Sequence, residues 1–179
     1  VREVEIASGT GGELAAGRFT SPPVALALSP KGDKVACAIV VRDGPAAPSL
    51  RLHILSPGSP GDRVAWEGRC ARGEADLCWT PDGLAVLIAA DRPGGWGLHH
   101  VPAEGGAARP VGADLAEVRW PTVSPDGARV AFVARAEAKG PWSLFVAMLD
   151  GSSRRVAAPA IFAEPAVGYW PAWSPTSAA

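Results

Sequence analysis

Residues 121 to 132 read PTVSPDGARVAF, and the same frame returns twice upstream and once downstream. Residues 26 to 37 read LALSPKGDKVAC, residues 77 to 88 read LCWTPDGLAVLI, and PAWSPTSAA begins a further copy at Pro171. The hydroxyl residues Ser29, Thr80, Ser124 and Ser174 mark equivalent positions, separated by 51, 44 and 50 residues. Each copy predicts a short apolar strand, a tight turn and a second apolar strand. Pro presets φ at the second turn position, Ser or Thr hydrogen-bonds the turn backbone, and Gly accepts the positive φ that reverses the chain. After the turn, Val35-Ala36-Cys37, Val86-Leu87-Ile88 and Val130-Ala131-Phe132 are equivalent, so Cys37, Ile88 and Phe132 are expected to fill one repeated core site.

A repeat of this length decides the fold before any single strand does. A second hairpin follows each first one: Ser49 to Leu55 with Arg63 to Trp66, Gly97 to Val101 with Ala108 to Val111, and Ser143 to Leu149 with Arg154 to Ala157. Two hairpins per repeat make a four-stranded antiparallel sheet, the unit of a β-propeller. The expected fold is all-β, a β-propeller of four-stranded antiparallel blades, with about three full blades plus partial blades at both ends. Residues 1–20 form a partial blade, 21–67, 68–112 and 113–158 are blades, and 159–179 start a further blade. Val4 to Ser8 and Leu14 to Phe19, joined by a turn at Gly9 to Gly12, read as the second hairpin of a blade, and Tyr169 to Trp173 as a first strand. Either these pieces meet in one composite blade that closes a small ring, or the chain is about half of a larger propeller. The loss of Asp-Gly after Pro175 favours the second.

Composition agrees with many short strands. Of 179 residues, 21 are Gly and 18 are Pro, more than a helical chain carries, and 47% are hydrophobic, enough for one domain core. A net charge of -1 gives no basic field, which disfavours nucleic acid and anionic membranes as partners. Apolar runs such as Val35 to Val41 are far shorter than the roughly 20 residues of a membrane span, and no signal segment opens the chain. Three cysteines without a CxxC make neither a disulfide framework nor a zinc site. Cys70 and Cys78 either pair across a loop or stay as separate half-buried thiols, and the burial habit of cysteine favours the latter.

The pattern Trp-Pro-x-x-Ser-Pro-Asp-Gly followed by x-Arg-Val-Ala-Phe, at Trp120 to Phe132 and begun again at Trp170 to Pro175, resembles the WD40-like PD40 repeat of TolB-type propellers. The same repeat occurs in the propeller domains of prolyl-oligopeptidase-type serine peptidases. The resemblance covers nearly the whole chain but departs at Lys31, where Asp is usual, and at Asp76-Leu77, where Trp-Pro is usual. It implies a non-catalytic role with a protein or peptide partner. In TolB-type proteins that role is a periplasmic scaffold, and in the peptidases it is a cover that gates substrate to a separate hydrolase domain. The corresponding compartments are periplasmic or extracellular for the first and cytoplasmic for the second. A small self-closed glycan-binding propeller is a third reading.

No complete active site is legible. There is no Gly-x-Ser-x-Gly elbow, and Gly9 to Gly12 lacks the Lys-Ser/Thr of a phosphate loop. His99 and His100 are strand neighbours that point to opposite faces, and His53 reads as a lone, partly exposed strand residue. Asp33, Asp82 and Asp126 recur at equivalent turn positions, where local hydrogen bonding explains them better than a metal does. No catalytic residue, metal or cofactor is expected. Among seven tryptophans, Trp79 and Trp173 share one repeat site and Trp120 and Trp170 another, as blade packing requires. Trp96 and Trp142 sit in or beside the loops joining the hairpins, next to Gly95, Gly97, Gly140 and Pro141. These two are the candidate binding residues, and capping of the sheet is their alternative role. The arginines, among them Arg69, Arg72, Arg92, Arg119, Arg135, Arg154 and Arg155, are interleaved with acids and read as solvated faces, or as a cluster at a propeller mouth that draws an acidic partner. Open blade edges would favour self-association.

Overall fold

The computed structural model describes residues 2–4, 11–13, 21–42, 47–56, 63–92, 95–112, 115–162 and 170–176. Two short strands come first, β1 (Arg2–Val4) and β2 (Gly11–Glu13), paired antiparallel with Arg2 opposite Glu13. The first blade consists of β3 (Pro23–Leu28), β4 (Val35–Val41), β5 (Ser49–Leu55) and β6 (Arg63–Arg69). The second has β7 (Ala75–Trp79), β8 (Ala85–Arg92), β9 (Gly95–Pro102) and β10 (Arg109–Val111). The third has β11 (Glu117–Val123), β12 (Arg129–Arg135), β13 (Trp142–Met148) and β14 (Arg154–Phe162). Within each blade the strands follow chain order, all antiparallel. Strand β7 packs against β3 on one side and β11 on the other, so the first strands are innermost. No helix among the described residues is long and apolar enough to cross a membrane.

The turns repeat in chemistry as well as in sequence. Gly32, Gly83 and Gly127 all have φ of 72°, the left-handed conformation that glycine, lacking a Cβ, adopts at little cost and other residues do not. The hydroxyls of Ser29, Thr80 and Ser124 each accept the N–H five residues on, at 2.9 to 3.0 Å. Thr80 and Ser124 donate to Asp82 and Asp126, two residues on. Asp33 is not at that position, which Lys31 occupies, yet it reaches the Ser29 hydroxyl from four residues on at 2.8 Å. The expectation of three equivalent aspartates is corrected to two plus a substitute.

Alternation along the strands places the core between blades. Ala36, Ala38, Leu50, Leu52 and Ile54 of the first blade pack with Trp79, Val86 and Ile88 of the second. Leu87, Ala89 and Leu98 on the other face of the second blade pack with Val130, Phe132 and Phe145 of the third. Cys37, Ile88 and Phe132 are all fully buried, as the repeat predicts. A further bond recurs with the repeat: Trp79 Nε1 donates to Ala27 O at 2.9 Å and Trp173 Nε1 to Thr122 O at 3.0 Å. Ala27 and Thr122 both stand two residues before a turn hydroxyl, so each indole joins its own repeat to the one before.

Some expectations need correction. Strand β2 occupies Gly11–Glu13, where a turn was expected, and Leu14 to Phe19 lie outside the described residues. Residues 170–174 join no sheet, although Trp173 makes the bond that Trp79 makes. His53 is buried at 8% exposure, not partly exposed, because it stands opposite Cys37 on the sheet face that carries the buried cluster of Val35, Cys37, Ile39 and Leu55. The three cysteines are free thiols, Cys37 and Cys70 buried and Cys78 half-buried. Among the described residues, β1 and β2 hydrogen-bond to no other strand, and the sheets do not close into a ring.

Candidate binding faces

Antiparallel order puts two kinds of loop at opposite ends of each blade. The turns between first and second strands and between third and fourth strands form one rim. The opposite rim has the loops between second and third strands and the connections between blades. Trp96 and Trp142 are on the latter rim, at the start of β9 and β13, and both are buried, at 3% and 1% exposure.

Each indole carries an arginine. The Arg119 guanidinium carbon is 4.6 Å from the centre of Trp96 and 5.7 Å from Trp120, and that of Arg135 is 5.1 Å from Trp142. Such cation–π contacts favour a fixed orientation for a side chain that is otherwise mobile. Arg119 also donates to Asp76 at 2.8 Å and to Glu74 at 3.0 Å, and Arg135 donates to the buried Glu117 at 2.6 Å. The Trp120 N–H donates to Asp76, and Trp120 itself has φ of 52° at a bulge in β11, a conformation that a bulky residue adopts only under constraint. Asp76 thus binds the third blade from the repeat position where the third blade has Trp120.

Sequence reasoning missed two acids here. Asp91, 3% exposed, accepts the backbone N–H groups of Ala71, Arg72, Gly73 and Glu74, the whole connection into the second blade. Its repeat equivalent is Arg135, since both stand eleven residues after the turn hydroxyl, and Arg135 grips Glu117 at the start of its own blade. One position therefore fixes the entry of both blades with opposite charge. Aligning the repeats beyond the turn would have singled it out.

The other rim contains an open cleft of about 580 Å3 between the turns of the second and third blades. Pro81, Leu84, Pro125 and Leu149 wall it, His100 lines it, and Asp82 and Asp126 stand beside it. The carboxyl groups of Asp82 and Asp126 are held below the usual range, by the Thr80 and Ser124 hydroxyls first and by turn N–H groups next. His100 is pushed down by burial and then by Arg109, so its imidazole is neutral near pH 7, and its buried Nδ1 has no hydrogen-bond partner. The neighbouring His99 points the other way and meets the Trp66 ring at 5.5 Å, as strand alternation requires. The Thr80 hydroxyl is buried and shared between Asp82 and the Ala85 carbonyl, which locks it in the turn. Among the described residues, no group of three His, Cys, Asp or Glu is placed to hold a metal ion.

TolB from Acinetobacter baumannii superposes with a TM-score of 0.70 over 98% of this chain, at 16% identity. The fold is that of TolB-type propellers. This chain spans 40% of the length of that protein. A putative TolB from Agrobacterium tumefaciens matches 77% of the chain with a TM-score of 0.56 and 18% identity, over 49% of its own length. A prolyl endopeptidase matches 83% of the chain with a TM-score of 0.60 and 17% identity, over 24% of its own length. No family model matches the sequence. No curated protein matches it either.

Proposed function

We propose that the chain is part of a TolB-type propeller that binds a protein or peptide and does no chemistry itself. The observation that carries the proposal is the open cleft between two packed blades, with apolar walls and a few fixed polar groups, the make-up of a recognition site. On the other rim Trp96 and Trp142 cap the sheet, as buried platforms that hold Arg119 and Arg135 in place. The scaffold role of TolB-type proteins supports a protein partner. An immobilised array of random short peptides, probed with the purified chain, tests this role: selective retention of a subset is expected, and uniform absence of binding or cleavage of the peptides would contradict it.

A second reading has one observation in its favour, the match of 83% of the chain to a prolyl endopeptidase. Here the propeller would restrict access to a separate hydrolase domain. The same array separates the two, because a scaffold selects among sequences whereas a gate that works by size does not.

A further inference from the structure

Resting on the binding role proposed above, we infer that the cleft between the second and third blades takes an extended peptide segment by a basic side chain. Asp82 and Asp126 supply the recognising carboxylates and His100 a polar contact inside the cleft.

The repeat itself provides the control, because the first and second blades meet at an equivalent place whose rim Lys34 and Glu104 bridge. Three differences separate the two junctions. His100 pairs with Leu87 in its sheet, as Ile54 pairs with Ala36 and Val146 with Ala131, and Leu87, Ala36 and Ala131 all stand seven residues after a turn hydroxyl. A histidine with an unsatisfied buried nitrogen thus replaces an aliphatic residue, at a cost in stability that packing alone does not explain. Next, Lys34 of the first blade reaches across to Glu104 of the second at 2.5 Å and bridges the rim. The equivalent of Lys34 in the second blade is Ala85, and the equivalent of Glu104 in the third is Asp150, so the Lys34 contact has no counterpart at the junction that holds the cleft, where, among the described residues, only Arg109, the counterpart of Arg63, faces Asp150. Lastly, Lys31 of the first turn is Asp82 in the second, which reverses the charge at the mouth.

The chemistry of the missing group follows. Asp82 spends Oδ1 on the turn and makes no ion pair with any described cation, which leaves Oδ2 for a ligand. Asp126 likewise uses Oδ1 within its turn, and its Oδ2 pairs at 3.8 Å with Arg129, whose guanidinium also lies over the Trp173 ring. Lysine and arginine have apolar stems that pack on surfaces such as Pro81, Leu84 and Pro125 while the charged head reaches a carboxylate. A basic side chain of a partner therefore satisfies both the walls and the mouth.

Two pools of capped short peptides test the inference on the full chain, one with lysine fixed at the centre and one with norleucine, the other positions randomised in both. Binding of the lysine pool about tenfold tighter, or about 1.4 kcal/mol, is expected. The preference should vanish in Asp82→Asn with Asp126→Asn and in Ala85→Lys, and persist in Glu137→Gln on the opposite rim. Ala85→Lys leaves both turn carboxylates in place, so it serves if the double variant unfolds. Equal binding of the two pools overturns the inference and leaves the peptide-binding role standing. Absence of binding to either pool overturns both.

Discussion

Replacing Asp91 by Asn should loosen the joint between the first two blades. The carboxylate takes four backbone N–H groups, Ala71 and Arg72 on Oδ2 and Gly73 and Glu74 on Oδ1. An amide keeps one acceptor oxygen and turns its NH2 toward the other pair, so two of the four bonds are lost. At about 1.5 kcal/mol for each bond to a charged acceptor, the cost is about 3 kcal/mol. For a chain of this size that lowers Tm by about 6–12 °C. Urea unfolding followed by tryptophan fluorescence measures the loss, and trypsin should cut faster at Arg69, just before the released connection, and at Arg72 within it. A loss below about 1 kcal/mol with unchanged proteolysis would refute the assignment of Asp91 as the group that organises this connection.

Other outcomes follow from the same geometry. Trp79→Phe removes the indole bond to Ala27 O and should cost about 1–3 kcal/mol in urea denaturation, since the carbonyl is left without its partner. The folded-state pKa of His100 is depressed, so protonation of the unfolded chain below about 6.5 draws the equilibrium toward unfolding. Stability should fall as pH drops from 7 toward the carboxylate range, and His100→Val, which installs the residue type found at Val146, should flatten that slope in denaturation curves taken at several pH values. Burial raises the thiol pKa of Cys70 and of Cys78, so a thiol-specific reagent should label both slowly in the native chain and rapidly in denaturant, as read by absorbance.

The turns, the strand pairs and the shared core site of Cys37, Ile88 and Phe132 are legible in the sequence because their causes are local, a Pro-Asp-Gly reversal and an alternation of two. The equivalence of Trp79 and Trp173 is legible too, although the carbonyls they reach are 52 and 51 residues away. Asp91 and Glu117 are not, because the partners of Asp91 come from a connection that only the folded sheet brings alongside and the Arg135 opposite Glu117 is set by the register of β11 on β12. Glycines beside Trp96 and Trp142 suggest loops, yet tight pairing of β8 with β9, with Asp91 opposite Trp96, draws Trp96 into the sheet and buries it. His100 looks unremarkable as half of a His-His pair. Its meaning emerges only when the register of β9 shows that its counterparts are Ile54 and Val146.

The binding role is tested most directly by amide hydrogen exchange of the full chain with and without the tightest-binding lysine-centred peptide. Protection at residues 80–85, 98–103 and 124–129, with the rim around Arg119 and Arg135 unchanged, is the expected result. Protection confined to the Arg119 and Arg135 rim, or none anywhere, would contradict it.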